Sequence, residues 1–159
     1  MDRNALINRL NWFYGLELEQ VDLYTAQSKS VDDIYLSKTL ERIAVIEQQH
    51  VDNIADKIRE LGGTPAKTGD IIAPLLGVAA GKITGLIGPL AILKADIRLE
   101  EKAMRDYKDL IIKAGMDQEL FDLLWANLID EDLHTAWFAN KLRELQKVKR
   151  NARIAELQK

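Results

Sequence analysis

The chain of 159 residues has only two histidines, and each stands three residues after a glutamate. The first pair lies in Glu47-Gln48-Gln49-His50 and the second in Glu131-Asp132-Leu133-His134. Helix positions three apart share a face, so each pair can close on one cation from a single helix. Glutamate would bind through oxygen and histidine through a ring nitrogen. Glutamate is about one residue in fourteen here, so chance seldom places one ahead of both histidines. The chain has no cysteine. That excludes disulfides, thiolate zinc sites and iron–sulfur clusters, so any metal must be held by nitrogen and oxygen ligands.

The elements that must carry these pairs are legible as apolar stripes. Leu36, Leu40, Ile43, Ile54, Ile58 and Leu61 form one stripe, and Glu47 and His50 continue it through its middle. Leu120, Leu124, Leu128, Phe138, Leu142 and Leu145 form another, which contains Glu131 and His134. Polar groups on a core stripe need partners, because a buried unpaired charge costs several kcal/mol at least. A pair of shared divalent cations would supply them. Such a site needs one more carboxylate from each of two further helices. On a first helix Glu17 is in register with Leu6, Leu10, Phe13, Val21 and Tyr24, whereas Glu19 is expected to face solvent with Asp22. On a third helix Glu100 is in register with Leu93, Ala103, Met104, Tyr107 and Ile111, whereas Glu101 lies nearer Lys94 and Lys108. Glu17 and Glu100 are therefore selected. Each is followed seven residues on by a tyrosine, Tyr24 and Tyr107, and each precedes its Glu-x-x-His by nearly the same distance. The halves read as one repeated hairpin, as two metals about an approximate two-fold axis require. The tyrosines either pack in the core or hydrogen-bond a ligand carboxylate. Asp130, beside Glu131, is a candidate acceptor for a histidine N–H and has Ile46 as its counterpart, so that support is one-sided.

The predicted architecture is all-α and forms a single domain over 1–159. Helix 1 spans about 2–27 and helix 2 about 31–61, started by Ser30 and Asp33 as a capping box and stopped at Gly62-Gly63-Thr64-Pro65. Helix 3 spans about 90–114, and helix 4 about 117–147 with a helical tail. Short turns make two antiparallel hairpins, and a long crossover, about 62–89, joins them. Residues 71–93 are nearly all apolar or glycine, with Gly77, Gly81 and Gly85 four apart. Pro74, Lys82 and Pro89 make a membrane span a poor fit there. The segment is expected to lie across the bundle, the glycines allowing close packing or a subunit contact, with a membrane-surface contact through 71–89 as the alternative. Apolar residues make up 47% of the chain, charged residues 30%, and the net charge is -3. This is an ordinary globular composition with no charge argument for nucleic acid. The basic run Lys147-Val148-Lys149-Arg150 reads as a solvated helix end. Trp12, Trp125 and Trp137 read as core or interface aromatics. Met1-Asp2-Arg3-Asn4 lacks the build of a signal peptide, so the expectation is a cytoplasmic protein, with peripheral membrane contact as the variant.

The residues so assembled resemble the ferritin-like di-iron superfamily, which includes bacterioferritin, rubrerythrin and demethoxyubiquinone hydroxylase. Leu16-Glu17-Leu18 through Tyr24 is similar to the first bacterioferritin ligand helix. Glu47-Gln48-Gln49-His50 with Ile54, Ile58, Arg59 and Gly62 is similar to the second. Ala95-Asp96-Ile97-Arg98-Leu99-Glu100 and Asp130-Glu131-Asp132-Leu133-His134 are similar to the third and fourth. The resemblance implies a ferritin-like four-helix bundle in which Glu47 and Glu131 bridge the metals and Glu17 and Glu100 are terminal. Gln48 stands where bacterioferritin has its haem-ligating methionine, so no haem is expected. Without cysteine there is no rubredoxin domain, and Ala103 stands where rubrerythrin has an extra carboxylate. The apolar crossover is similar in composition to the hydrophobic segment of demethoxyubiquinone hydroxylase.

Four Glu and two His suit two Fe ions, with manganese or a mixed Mn/Fe pair as the alternative. The expected activity is a di-iron oxidoreductase that oxidises Fe(II) with O₂ or peroxide, supplied by an electron donor the sequence does not name. The alternatives are a demethoxyubiquinone-hydroxylase-like monooxygenase acting on an apolar substrate at a membrane, and a non-catalytic iron binding or storage protein. A homo-oligomer, dimer or larger, is expected.

Overall fold

The computed structural model describes residues 1–67, 69–76, 88–115 and 117–158. These form five helices and, among the described residues, no strand: α1 (Arg3–Ser30), α2 (Ile34–Glu60), α3 (Ile72–Leu76), α4 (Pro89–Ala114) and α5 (Gln118–Leu157). α1 pairs with α2 and α4 with α5 as two antiparallel hairpins, and the hairpins pack into a four-helix bundle. This is the ferritin-like arrangement with a crossover between its halves. The crossover glycines Gly77, Gly81 and Gly85 lie outside the described residues.

Local chemistry sets the helix ends. Asp2 accepts the Ala5 N–H, Asp33 those of Tyr35 and Leu36, and Asp117 that of Leu120. Each N-cap carboxylate satisfies amides that have no partner within the helix. Asp33 thus starts α2, and α1 runs on to Ser30, so the Ser30–Asp33 capping box does not form. The Ser30 hydroxyl instead donates to the Gln27 carbonyl within α1. α2 is stopped just before Gly62, whose φ of 76° is left-handed backbone, and the Gly62 and Gly63 amides close back onto the Arg59 and Ile58 carbonyls. A Cβ at Gly63 would lie 2.8 Å from an Ile7 methyl carbon, so the chain turns here against α1.

Glu19 does not face solvent. Its carboxylate accepts the Ile71 and Ile72 amides at 3.0 and 2.7 Å, and Lys67 pairs with it at 3.2 Å. Glu19 therefore caps α3 and pins the start of the crossover to α1, helped by Asn11, which accepts the Ala66 N–H. Val21, placed on the α1 stripe from sequence, is only half-buried, and Leu23 is buried instead.

The core is built from Leu10, Phe13, Leu16 and Tyr24 of α1, Leu36, Leu40, Ile54 and Ile58 of α2, Leu93, Leu99 and Tyr107 of α4, and Leu120, Leu124 and Phe138 of α5. Trp12 and Trp137 pack half-buried against it, whereas Trp125 is largely exposed and stacks on Phe121. The halves repeat at this level too. Lys57 and Lys141 occupy matching places, each buried at the stem and each reaching the other hairpin, Lys57 to Glu119 and Lys141 to Asp33. At the rise of an α-helix, α5 is about 60 Å long and α4 about 39 Å. The surplus of α5 leaves its basic end as an exposed helical overhang.

Candidate metal centre

Six side chains meet at mid-bundle: Glu17 from α1, Glu47 and His50 from α2, Glu100 from α4, and Glu131 and His134 from α5. None is more than 5% exposed. The stripes explain the convergence, because each residue occupies a core position of its helix and points where the four stripes face one another. His50 Nδ1 lies 3.0 Å from Glu47 Oε2, 3.7 Å from Glu131 Oε1 and 3.9 Å from Glu17 Oε2. His134 Nδ1 lies 3.1 Å from Glu47 Oε1, 3.2 Å from Glu131 Oε2 and 3.7 Å from Glu100 Oε1. Glu47 and Glu131 thus turn one oxygen to each histidine, while Glu17 and Glu100 each approach only one.

Two overlapping ligand groups result. Glu17, Glu47, His50 and Glu131 form one, and Glu47, Glu100, Glu131 and His134 form the other, with the ligand atoms of each group within 4.8 Å of one another. Several of these atoms are buried without a hydrogen-bond partner, among them Glu17 Oε2, both oxygens of Glu47, His50 Nδ1 and Glu131 Oε1. Buried polar atoms normally find partners, and orphans on this scale point to an ion. Nitrogen and carboxylate oxygen in this ratio fit two divalent first-row metals.

A surrounding layer holds the six in place. Tyr24 donates to Glu100 and Tyr107 donates to Glu17, each across the α1–α4 interface. Gln20 Nε2 lies 3.5 Å from Glu100 Oε2, and Asn127 Nδ2 donates to the Tyr107 hydroxyl at 3.0 Å. Asp130 lies 3.1 Å from His50 Nε2, which leaves Nδ1 free for a metal. His134 Nε2 has no such partner among the described residues. Gln20 and Asn127 are not selected by the sequence reading. Both lie one helical turn from a ligand on the same face, Gln20 after Glu17 and Asn127 before Glu131. Applying the i±3, i±4 rule to polar as well as apolar residues would find them.

Crowding governs the protonation of the cluster. Burial raises Glu17 to about 7, with His50 pulling against it. Burial and the neighbouring carboxylates push Glu100 and Glu131 well above the usual range. For Glu47 burial also works upward, but the His134 and His50 rings beside it outweigh it and bring it to about 2. Burial works to lower both histidines, but carboxylate partners raise them: Asp130, Glu17 and Glu47 for His50, and Glu47 chiefly for His134. Before any metal binds, the cluster neutralises itself with protons, as a buried group of carboxylates must.

The ferritin-like domain family matches residues 7–148. The chain belongs to this family. Among the relatives of this ferritin-like chain is a bacterioferritin of Desulfovibrio desulfuricans, 28% identical over 150 residues, covering 87% of this chain and 75% of the relative. The X-ray structure of Desulfovibrio desulfuricans bacterioferritin, described with its diiron site in different catalytic states, superposes with a TM-score of 0.76. It is 24% identical and covers 91% of this chain and 82% of that one, which supports the fold. No described helix of this ferritin-like chain is long and apolar enough to cross a membrane.

Proposed function

We propose that this protein binds two iron ions and oxidises Fe(II) with O₂ or peroxide. The observation that carries the reading is the pair of overlapping four-residue groups that share Glu47 and Glu131. Glu47 and Glu131, common to both groups, would hold two metals side by side, and the likeness to a bacterioferritin favours iron over manganese. Bound Fe(II) would supply two electrons, one from each ion, so a two-electron reduction needs no protein radical.

The chain's own residues would perform the rest. Glu47 and Glu131 would bridge, and Glu17 and Glu100 would each serve one metal. Tyr107 fixes one oxygen of Glu17 and leaves the other without a hydrogen-bond partner, whereas Tyr24 and Gln20 hold one oxygen each of Glu100. Asp130 sets the tautomer and ring plane of His50. The four carboxylates carry a formal charge that two divalent cations neutralise, which removes the cost of burying them. The six side chains are almost entirely buried, so the centre is closed to bulk water. Three surface cavities, of about 300, 380 and 510 Å³, are lined by other residues and not by any of the six.

The test has two parts. Elemental analysis of a Glu47→Ala, Glu131→Ala double variant is expected to find both metals lost, and full occupancy would refute the ligand assignment. Stopped-flow mixing of the Fe(II)-loaded protein with peroxide and with O₂ is expected to show Fe(II) consumed faster than in free solution. An equal rate would leave a binding or storage role, which size-exclusion chromatography separates further by revealing a large shell or a small oligomer.

A further inference from the structure

α4 and α5 each bury one face in the core, and the outer face of the pair is not the polar surface that a solvated helix hairpin presents. Ile112 is 82% exposed, Leu133 61%, Trp125 48%, Ile129 41% and Phe121 37%. Phe121, Trp125, Ile129 and Leu133 recur every four residues, so they form one continuous ridge along α5. Phe121 and Trp125 stack within it, their ring centroids 5.8 Å apart. Beside the ridge, between α5 and α4, lies a cavity of about 380 Å³ whose apolar lining includes Trp125, Ile129, Met104, Ile111 and Ile112. The other hairpin differs. From Leu36 to Glu60 of α2, Val45 is the one large apolar residue so exposed among the described residues.

Area and charge together identify what covers this face. At roughly 200 Å² of full accessible surface each, the five residues expose on the order of 500 Å², near the top of what a monomer leaves uncovered. Doubled in a symmetric pair, that reaches the roughly 1,000 Å² at which specific interfaces begin. The rims of the cavity carry two exposed charges, Lys108 on α4 and Asp132 on α5. Lys102 pairs with Asp106 and Lys113 with Asp109 along α4, whereas neither Lys108 nor Asp132 has an ion-pair partner among the described residues. The Tyr107–Asn127 hydrogen bond and the Glu100–His134 contact fix the register of the two antiparallel helices. On that register Asp132 lies level with Lys102, about 9 Å along the bundle from Lys108. Lys108 and Asp132 thus sit on a diagonal across the cavity. Ile112 and Leu133 sit on a second diagonal of the same sense, and the two midpoints fall within half a helical turn of each other along the bundle. One two-fold axis lying in the face exchanges the ends of both diagonals. It sets Lys108 against the partner's Asp132 and Ile112 against the partner's Leu133, the self-complementarity that a two-fold interface requires. We propose that the α4–α5 face binds the same face of a second copy of this chain across such an axis, with Trp125 and Ile129 at its centre and the Lys108–Asp132 pairs at its rim.

None of these residues belongs to the metal centre, so the pairing does not depend on how the metals are used. The experiment is sedimentation equilibrium of the full chain from sub-micromolar to tens of micromolar, with helix content followed by circular dichroism. The parent is expected to form dimers, or larger assemblies that contain them. Ile112→Gln with Leu133→Gln changes two exposed residues to good helix formers, so the fold is kept, and it is expected to weaken the pairing about tenfold. Lys108→Glu and Asp132→Lys each set like charges together at both rims, and each alone is expected to weaken it by a similar factor. An equimolar mixture of those two variants is the sharper test. A mixed dimer has opposite charges at both rims, so the mixture is expected to recover the parent's affinity. A parent that stays monomeric at tens of micromolar would overturn the proposal. So would an assembly whose strength none of these variants changes, or a mixture no tighter than its separate components. A monomeric parent that floats with vesicles of phosphatidylcholine and phosphatidylglycerol, and ceases to do so after Ile112→Gln with Leu133→Gln, would overturn it in favour of a lipid surface.

Discussion

At the scale of single residues, the centre is a set of groups that cannot all be charged at once. Glu17 sits near 7, Glu100 and Glu131 are raised by burial and by one another's charge, and both histidines are raised by carboxylate partners. At neutral pH the metal-free cluster therefore holds protons that a metal must displace. Metal binding needs neutral imidazole and ionised carboxylate, so lowering the pH stabilises the metal-free form and weakens binding. Titration with Fe(II) under anaerobic conditions, in two buffers of different ionisation enthalpy, should show net proton release on loading at pH 7. Affinity should rise between about pH 6 and 8, through the Glu17 value. A calorimetric signal independent of the buffer would contradict this picture. All six clustered residues were legible from sequence because each is a polar interruption of an apolar stripe. Stripe register chose Glu17 over Glu19 and Glu100 over Glu101 without any knowledge of the partner helices. Gln20, Gln27, Asp96 and Asn127 escaped that logic. Each lies one helical turn from a selected residue on the same face, and the register rule reaches it only when extended from apolar to polar residues.

At the scale of elements, the long helices announce themselves by periodicity, but their ends and the crossover do not. The α1–α2 turn falls at 31–33 because Asp33 is the better cap: its carboxylate takes two amides, while the Ser30 hydroxyl bonds back into its own helix. Glu19 was misplaced for a related reason. It lies off the α1 core stripe, and what buries it is a segment more than fifty residues downstream that carries no period of its own. The structure makes Glu19 the hook on which the crossover hangs, through the Ile71 and Ile72 amides. Hydrogen bonds to a charged acceptor contribute roughly 1.5–3 kcal/mol, and a substitution would leave both amides in search of partners. Glu19→Ala should therefore raise hydrogen-exchange rates over residues 66–76 while α4 and α5 keep their protection. The metal count should stay at two, because Glu19 touches none of the six. Unchanged exchange at 66–76 would show that α3 is held by its apolar contacts alone, through Ile71, Ile72 and Ala73.

At the scale of the whole molecule, the centre and the core compete for the same interior. Four carboxylates and two imidazoles occupy mid-bundle positions that leucine would fill at no electrostatic cost, and removing one partner of a buried charge set is strongly destabilising. The metal-free bundle therefore relies on the core layers on either side, Leu36, Leu93 and Phe138 toward one end and Ile58, Leu120 and Leu124 toward the other. Metal changes this balance, because an ion that binds only the folded chain adds stability that grows with the logarithm of its free concentration relative to its dissociation constant. Each site held at a thousand times its dissociation constant contributes about 4 kcal/mol. For a chain of this length 1 kcal/mol moves the melting temperature by roughly 2–4 °C. Loading both sites should thus raise it by about 15 °C or more at neutral pH. Protons compete for the same atoms, so the gain should shrink as the pH falls from 7 toward 5. Chelation should return the protein to the metal-free curve without loss of helix, since the stripes that build the bundle do not depend on the ions. Thermal melts followed by circular dichroism, with and without Fe(II) and across that pH range, measure all three effects together. A melting temperature indifferent to metal would mean that the six residues meet for packing alone, and would remove the basis for the chemistry proposed at this centre.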